Sequence, residues 1–331
     1  MKSALLSGLA LLLALAGAAA APGVAAAPRC GKVPGLAYVN LSEWARANGF
    51  AGRWTRTNET IELRKPAGRI ALTVDSRQIQ INGIAVWLFH PVVAQAGAVW
   101  LSRLDADLTL QPLLSPPRGS PGARVKTVCL DPGHGGKDPG NQAGANPEKR
   151  YTLLLAQEVQ KQLARVGLKG VLTRHSDTFL ELPARPALAQ RKRADLFVSL
   201  HFNGAARNPD TVRGAEVFCL TPAGLASTNA DRPEAGANTF IGNRNNSRNL
   251  FLAYQVQAAL VRNLAAEDRG VRRARFAVLR DAAMPAVLIE AGFMSHPVEG
   301  RKILTAAYRQ QIARAIVEGL LAYKKAVERP A

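Results

Sequence analysis

The sequence predicts an α/β protein: a twisted, mostly parallel six-stranded sheet flanked by helices, preceded by a small α+β domain. Three observations carry that prediction. From residue 125 onward, short apolar runs alternate with amphipathic helical stretches, the pattern of βαβ units. Residues 31–113 instead hold short alternating runs and a hairpin signal, Asn82-Gly83. Between them, Pro116-Pro117-Arg118-Gly119-Ser120-Pro121-Gly122 is dense in turn formers, so 114–124 reads as a linker. A length of 331 residues suits two domains.

In chain order, residues 1–27 carry one early cation, Lys2, an apolar stretch over 4–15 and small residues thereafter, the grammar of a secretory signal peptide. That apolar stretch is shorter than the ~20 residues needed to span a bilayer. Export is expected, to the periplasm or to the extracellular cell wall, and Pro28-Arg29 ahead of Cys30 argues against a lipid anchor. The first domain offers a helix over 41–48 and strands over 60–63, 70–74 and 78–81. In the second domain, 125–328, strands are expected at 125–130, 170–173, 195–200, 215–220, 276–279 and 286–289. Helices are expected at 151–166, 183–193, 250–264 and 308–327; the first carries Leu154, Leu155, Val159 and Leu163 at helical spacing. Residues 221–249 break the rhythm and read as a long loop, either functional or a simple insertion.

The formal net charge of +19 attracts polyanions. For an exported chain these are anionic envelope polymers or lipids more readily than nucleic acid, and solvated helix faces account for the arginines equally well. Three cysteines, Cys30, Cys129 and Cys219, do not make a disulfide scaffold, and without a CxxC or Cys/His cluster a thiolate zinc site is excluded. Cys129 and Cys219 lie in β-like runs and could pair only if those strands were adjacent.

Three segments place a polar residue directly after an apolar run: Asp131-Pro132-Gly133-His134-Gly135-Gly136, Leu200-His201-Phe202-Asn203 and Ile289-Glu290-Ala291-Gly292. Ligands of open α/β sheets collect at the carboxyl ends of strands, so residues leaving those ends converge although distant in sequence. Two histidines so placed could share a metal, and a catalytic zinc normally has three protein ligands. Glu148, fourteen residues after His134 and at the start of a predicted helix, is the nearest carboxylate. Acids are also favoured in first helical turns by the helix dipole alone. There is no HExxH. Glu290 ends a buried run, which suits either a general base acting on metal-activated water or an acid paired with an arginine.

Taken together, residues 128–140, the Glu148 region, 194–203, Arg213-Gly214-Ala215-Glu216-Val217 and 268–295 resemble the zinc-dependent N-acetylmuramoyl-L-alanine amidases of bacterial cell-wall remodelling. The resemblance implies one zinc ion on His134, Glu148 and His201, with Glu290 as the catalytic glutamate. It implies cleavage between the lactyl group of N-acetylmuramic acid and the L-alanine of the stem peptide. Asn203 and Arg174 could contact substrate, although a turn accounts for Asn203, and a surface ion pair for Arg174, more readily. Two departures are His201-Phe202-Asn203, where the family often has His-Ala-Asn, and Ser295-His296-Pro297 in place of Ser-Asn-Pro. The implied partners are peptidoglycan, anionic envelope polymers and a protein activator, with no specific nucleic acid and a monomeric chain. Residues 31–113 resemble small hairpin-rich modules of secreted bacterial enzymes, including the amino-terminal domain of copper amine oxidases, and read as a wall-binding or positioning module or, nearly as well, as a purely structural one. Competing readings are a noncatalytic envelope-binding or polyanion-binding protein on the same fold, a nucleic-acid binder, and a zinc peptidase of related architecture.

Overall fold

The computed structural model describes residues 32–66, 68–118, 124–229 and 238–328. The expected signal peptide lies outside the described residues, as do parts of the linker and of the long loop.

The chain opens with β1 (Tyr38–Asn40) and α1 (Leu41–Ala47), whose first turn is capped by Asn40 accepting from the amides of Ser42 and Glu43. A meander follows: β2 (Ala51–Arg56), β3 (Thr60–Lys65), β4 (Gly68–Thr73), β5 (Gln78–Ile81) and β6 (Ile84–Trp87). Asn82 and Gly83 both have positive φ, 51° and 82°, and make the tight turn that joins β5 to β6. Strand β7 (Val93–Gln95) pairs with β8 (Ala98–Ser102), which also pairs with β1, and α2 (Arg103–Asp105), a π-helical turn and α3 (Gln111–Leu114) complete the module.

The second part runs β9 (Thr127–Pro132), the short hairpin β10 (Gln142–Ala143) and β11 (Asn146–Pro147), α4 (Glu148–Arg165) and β12 (Lys169–Leu172). Then come α5 (Ala184–Arg191), β13 (Leu196–Asn203), β14 (Ala215–Leu220) and α6 (Asn246–Leu264). It closes with β15 (Asp268–Ala274), α7 (Ala277–Arg280), β16 (Ala286–Phe293), α8 (Pro297–Ile303) and α9 (Ala306–Val327). The sheet order is β12-β9-β13-β16-β14-β15, parallel throughout except where β14 runs against β16. Leu155, Val159 and Leu163 of α4, Val256 and Leu260 of α6, and Ile312, Ile316 and Leu320 of α9 bury one face. Phe197, Phe218 and Leu288 pack with Val278 and Leu279 on the other.

Three expectations are corrected. Residues 276–279 are not a strand: a four-residue apolar run suits helix and strand equally, and most of it forms α7. The sixth strand is β15, hidden in sequence because Arg269, Arg272 and Arg273 interrupt its apolar pattern and their charge is met through space. Arg272 pairs with Glu216 at 2.8 Å, and the buried Arg273 donates to the carbonyls of Trp87 and Leu108. Residues 241–249 are helical, because Asn249 sits inside α6 and accepts the amide of Ala286.

The sheet also does not stop at six strands. β15 pairs in parallel with β6 at Val271 and Val86, and β6-β5-β4-β3-β2 extend it to eleven. Asp268 accepts the amide of Ala85 at 2.7 Å, and the Trp87 indole donates to the Arg269 carbonyl at 2.9 Å. Cys129 and Cys219 stand on strands separated by two others and are unpaired; burial, with the charge of Asp131, pushes the Cys129 thiol up to about 12. Among the described residues no helix is long and apolar enough to cross a membrane.

Candidate metal-dependent active site

Strands β9, β13 and β16 are neighbours, and their carboxyl ends bring the three singled-out segments to one edge. His201 and Glu290 are direct register partners across β13 and β16, so their side chains leave the same face. His134 lies two residues beyond β9 in the left-handed region, φ 62°. The turn can pass so close to the second imidazole because residue 133 is glycine: a Cβ there would meet the His201 ring at 2.2 Å.

Glu148 is the first residue of α4 and is fully buried. Its Oε2 lies 3.1 Å from His134 Nε2 and its Oε1 lies 3.0 Å from His201 Nδ1. Oε1 also accepts the Phe202 amide at 3.0 Å, and Oε2 accepts both the backbone and side-chain amides of Asn141 at 2.9 and 3.0 Å. Burial alone would raise the Glu148 carboxyl, but hydrogen bonds from His134 and His201, and their charge, hold it well below the carboxylate range. Burial likewise works to lower His134, yet Glu148 and then Asp138 raise it overall. Nδ1 of His134 donates to Asp138 at 2.8 Å, which turns Nε2 inward.

One donor atom from each of His134, Glu148 and His201 lies within 4.8 Å of the others, the one such grouping among the described residues. Two imidazoles and a carboxylate suit zinc or a similar transition ion. Glu290 faces this set with a different environment. Its Oε2 is shielded from solvent and has no hydrogen-bond partner among the described residues, and burial, then the charges of Glu148 and Glu216, raise its carboxyl well above the ordinary range. The alternative of an arginine-paired acid does not hold at position 290. It holds at Glu216, the register partner of Glu290, which takes Arg272 and Arg269.

Arg174, expected at the substrate, is instead buried beneath the histidine turn. It donates to the carbonyls of Pro132, Gly133, Ser176 and Lys149. Asn203 gives its amide to Glu216 at 2.9 Å and accepts the Gly204 amide. Residues that sequence reasoning missed complete the frame. Asp131 and Arg185 form a buried pair at 3.0 Å, and Arg185 also donates to the His134 carbonyl. Asp138 and Asn141 orient the histidine and glutamate; the available signal was only the general need of a metal-ligating imidazole for an acceptor on its other nitrogen. A cleft of about 540 Å³ opens beside the site, lined by His134, Lys137, Phe179, Leu182, His201 and Val278 among others.

A buried carboxylate between two imidazoles at the carboxyl edge of an α/β sheet, with an unpaired acid beside it, defines a site of the kind used by metal-dependent hydrolases. Comparison with known proteins is more specific. Residues 128–322 match the N-acetylmuramoyl-L-alanine amidase family, and the chain belongs to it. It is 34% identical over 243 residues to the N-acetylmuramoyl-L-alanine amidase AmiC of Neisseria meningitidis, covering 66% of this chain and 57% of that one. It is 34% identical over 263 residues to AmiA of Escherichia coli, covering 70% of this chain and 90% of the relative. The solved structure of AmiC2 from Nostoc punctiforme superposes with a TM-score of 0.51 at 33% identity, over 62% of this chain and 99% of that one.

Proposed function

We propose that His134, Glu148 and His201 hold a single zinc ion and that the chain hydrolyses the amide bond between the lactyl group of N-acetylmuramic acid and the L-alanine of the peptidoglycan stem peptide. The observation that carries this reading is the convergence of those three donors beside Glu290, whose Oε2 is buried without a partner. Bound there, zinc would supply Lewis-acid chemistry, polarising the scissile carbonyl and acidifying water.

The protein's own groups do the rest. Asp138 fixes the His134 tautomer, and Asn141 with the Phe202 amide holds Glu148 between the two rings. Glu290 takes the proton of the attacking water and returns it to the departing amine, a task its raised affinity for protons suits. Burying an unpaired carboxylate is costly, so a purely binding role would leave that cost uncompensated. The exposed Leu182, with Phe179, gives the cleft an apolar wall, and Asn203, at the carboxyl end of β13 with its amide on Glu216, is taken as a further substrate contact. Peptidoglycan is the principal partner. Anionic envelope polymers and a protein activator complete the set, and a monomeric chain acts outside the cytoplasm after loss of residues 1–27.

Digestion of purified peptidoglycan tests the reading: mass analysis is expected to show free stem peptides beginning with L-alanine and intact glycan, and a chelator abolishes their release. Cleavage within the stem peptide would indicate a peptidase instead. Removal of the acceptor in Asp138→Ala is expected to weaken zinc binding by about 10–100-fold, as read by competition with a chromophoric chelator.

A further inference from the structure

The row of register partners that contains the site does not end there. From His201 it passes to Glu290, Glu216 and Gly270, across β13, β16, β14 and β15. The pairing of Val271 with Val86 then sets Gly270 beside Ala85, where a Cβ on the glycine would meet the Ala85 carbonyl at 2.9 Å. Within the amino-terminal module the same row continues through Gln80 and Ala71 to Glu62 and Arg53. Partners in one row lie on the same side of the sheet, so nine adjacent strands carry one side from His201 to Arg53, twisting by roughly 20° per strand and buried at Glu216 and Ala85 between its two ends. At about 4.8 Å per strand it spans roughly 38 Å.

Leu63, Ile70, Leu72 and Ile79 bury the opposite face of the module with α1, whereas on this face Gln80 is exposed. Its outer end is cationic. Arg53, Arg64 and Arg69 converge on the nearly buried Glu62 at 3.3, 2.7 and 3.4 Å, yet remain 66%, 55% and 49% exposed. One carboxylate under three guanidiniums orients them and leaves positive charge with free donors, the arrangement that recognises further carboxylates.

We propose that this face is a distal subsite for the same polymer, with Arg53, Arg64 and Arg69 binding the carboxylates of stem peptides along the strand whose amide lies at Glu290. The assignment rests on the amidase reading and adds that the module is part of the substrate surface itself. Its place in the row of strand partners that begins at the catalytic edge, and charge complementarity to an anionic peptide polymer, support it. A peptidoglycan strand long enough to reach both ends gains a second contact, whereas a single disaccharide-peptide does not.

The test compares the zinc-loaded full chain with Arg53→Gln/Arg64→Gln/Arg69→Gln and with the corresponding triple lysine variant, on polymeric peptidoglycan and on a soluble monomeric disaccharide-peptide. The glutamine variant is expected to lose about tenfold in kcat/KM on the polymer, through KM, with monomer turnover within about twofold; lysine restores much of the loss. Equal losses on both substrates, or none on the polymer, would overturn the proposal. If the triple variant is unstable, Arg53→Gln/Arg69→Gln retains the 2.7 Å Arg64–Glu62 pair and is expected to shift in the same direction. Sedimentation of Glu290→Gln protein with insoluble peptidoglycan, with and without the three arginine changes, reads the subsite without hydrolysis. Should the wild type cleave neither substrate, the amidase reading fails, and the subsite stands or falls on whether the arginine changes release the protein from the polymer.

Discussion

Glu290→Gln is expected to lower kcat on peptidoglycan by about 10³-fold or more while leaving the zinc content at one ion per chain. The side chain keeps its shape and loses only the capacity to take up and return a proton. Because burial, and then the charges of Glu148 and Glu216, raise the carboxyl of Glu290, the wild-type kcat/KM should fall on its acidic side well above pH 4.5. A general base works deprotonated, so activity climbs as pH rises through that elevated value and is lost below it. Stability runs the other way. The folded chain holds this proton more tightly than the unfolded one, so the contribution of Glu290 is greatest at low pH and declines as pH rises from 4.5 to its folded pKa. In chelator-treated protein, Glu290→Gln removes that decline, and its Tm should exceed that of the wild type near neutral pH but not below pH ~4. Unchanged turnover in a folded Glu290→Gln protein would remove Glu290 from the reaction.

Glu148→Ala is expected to cost both metal and stability. The carboxylate serves two imidazoles, both Asn141 amides and the Phe202 amide from a fully buried position. Zinc affinity should fall by more than the roughly 100-fold typical of losing a partner behind a ligand. Buried donors left without an acceptor should lower stability by about 3 kcal/mol. Chelation of the wild type silences activity without removing those hydrogen bonds, so comparing the two melting temperatures separates the ligand role from the structural one. Metal titration and thermal denaturation read both effects. Zinc bound with unchanged affinity in Glu148→Ala would exclude it as a ligand.

The parts of the site legible in the sequence are those that backbone chemistry exposes. His134 follows β9, His201 and Glu290 lie in the second halves of β13 and β16, each just after the apolar run, and the ends of neighbouring parallel strands converge. Glu148 was readable from its place at a helix start, and both of its readings coexist: it opens α4 and also faces the imidazoles. What stayed hidden is defined only through space. Asp138 and Asn141 are ordinary polar residues until a ligand's second atom needs a partner. Arg174 resembled a surface cation because nothing local announces that four backbone carbonyls will surround it. The arginines of β15 suppressed its strand pattern for the same reason, and its pairing with β6 joins residues 85 and 268, which no local periodicity encodes.

X-ray absorption at the zinc edge, combined with anomalous diffraction from crystals of the wild-type chain, tests the central claim most directly. The expected result is one ion held by two imidazole nitrogens and one carboxylate oxygen at about 2.0–2.2 Å, located between His134, Glu148 and His201. An ion bound elsewhere, or no density among these three side chains in protein that releases stem peptides, would contradict it.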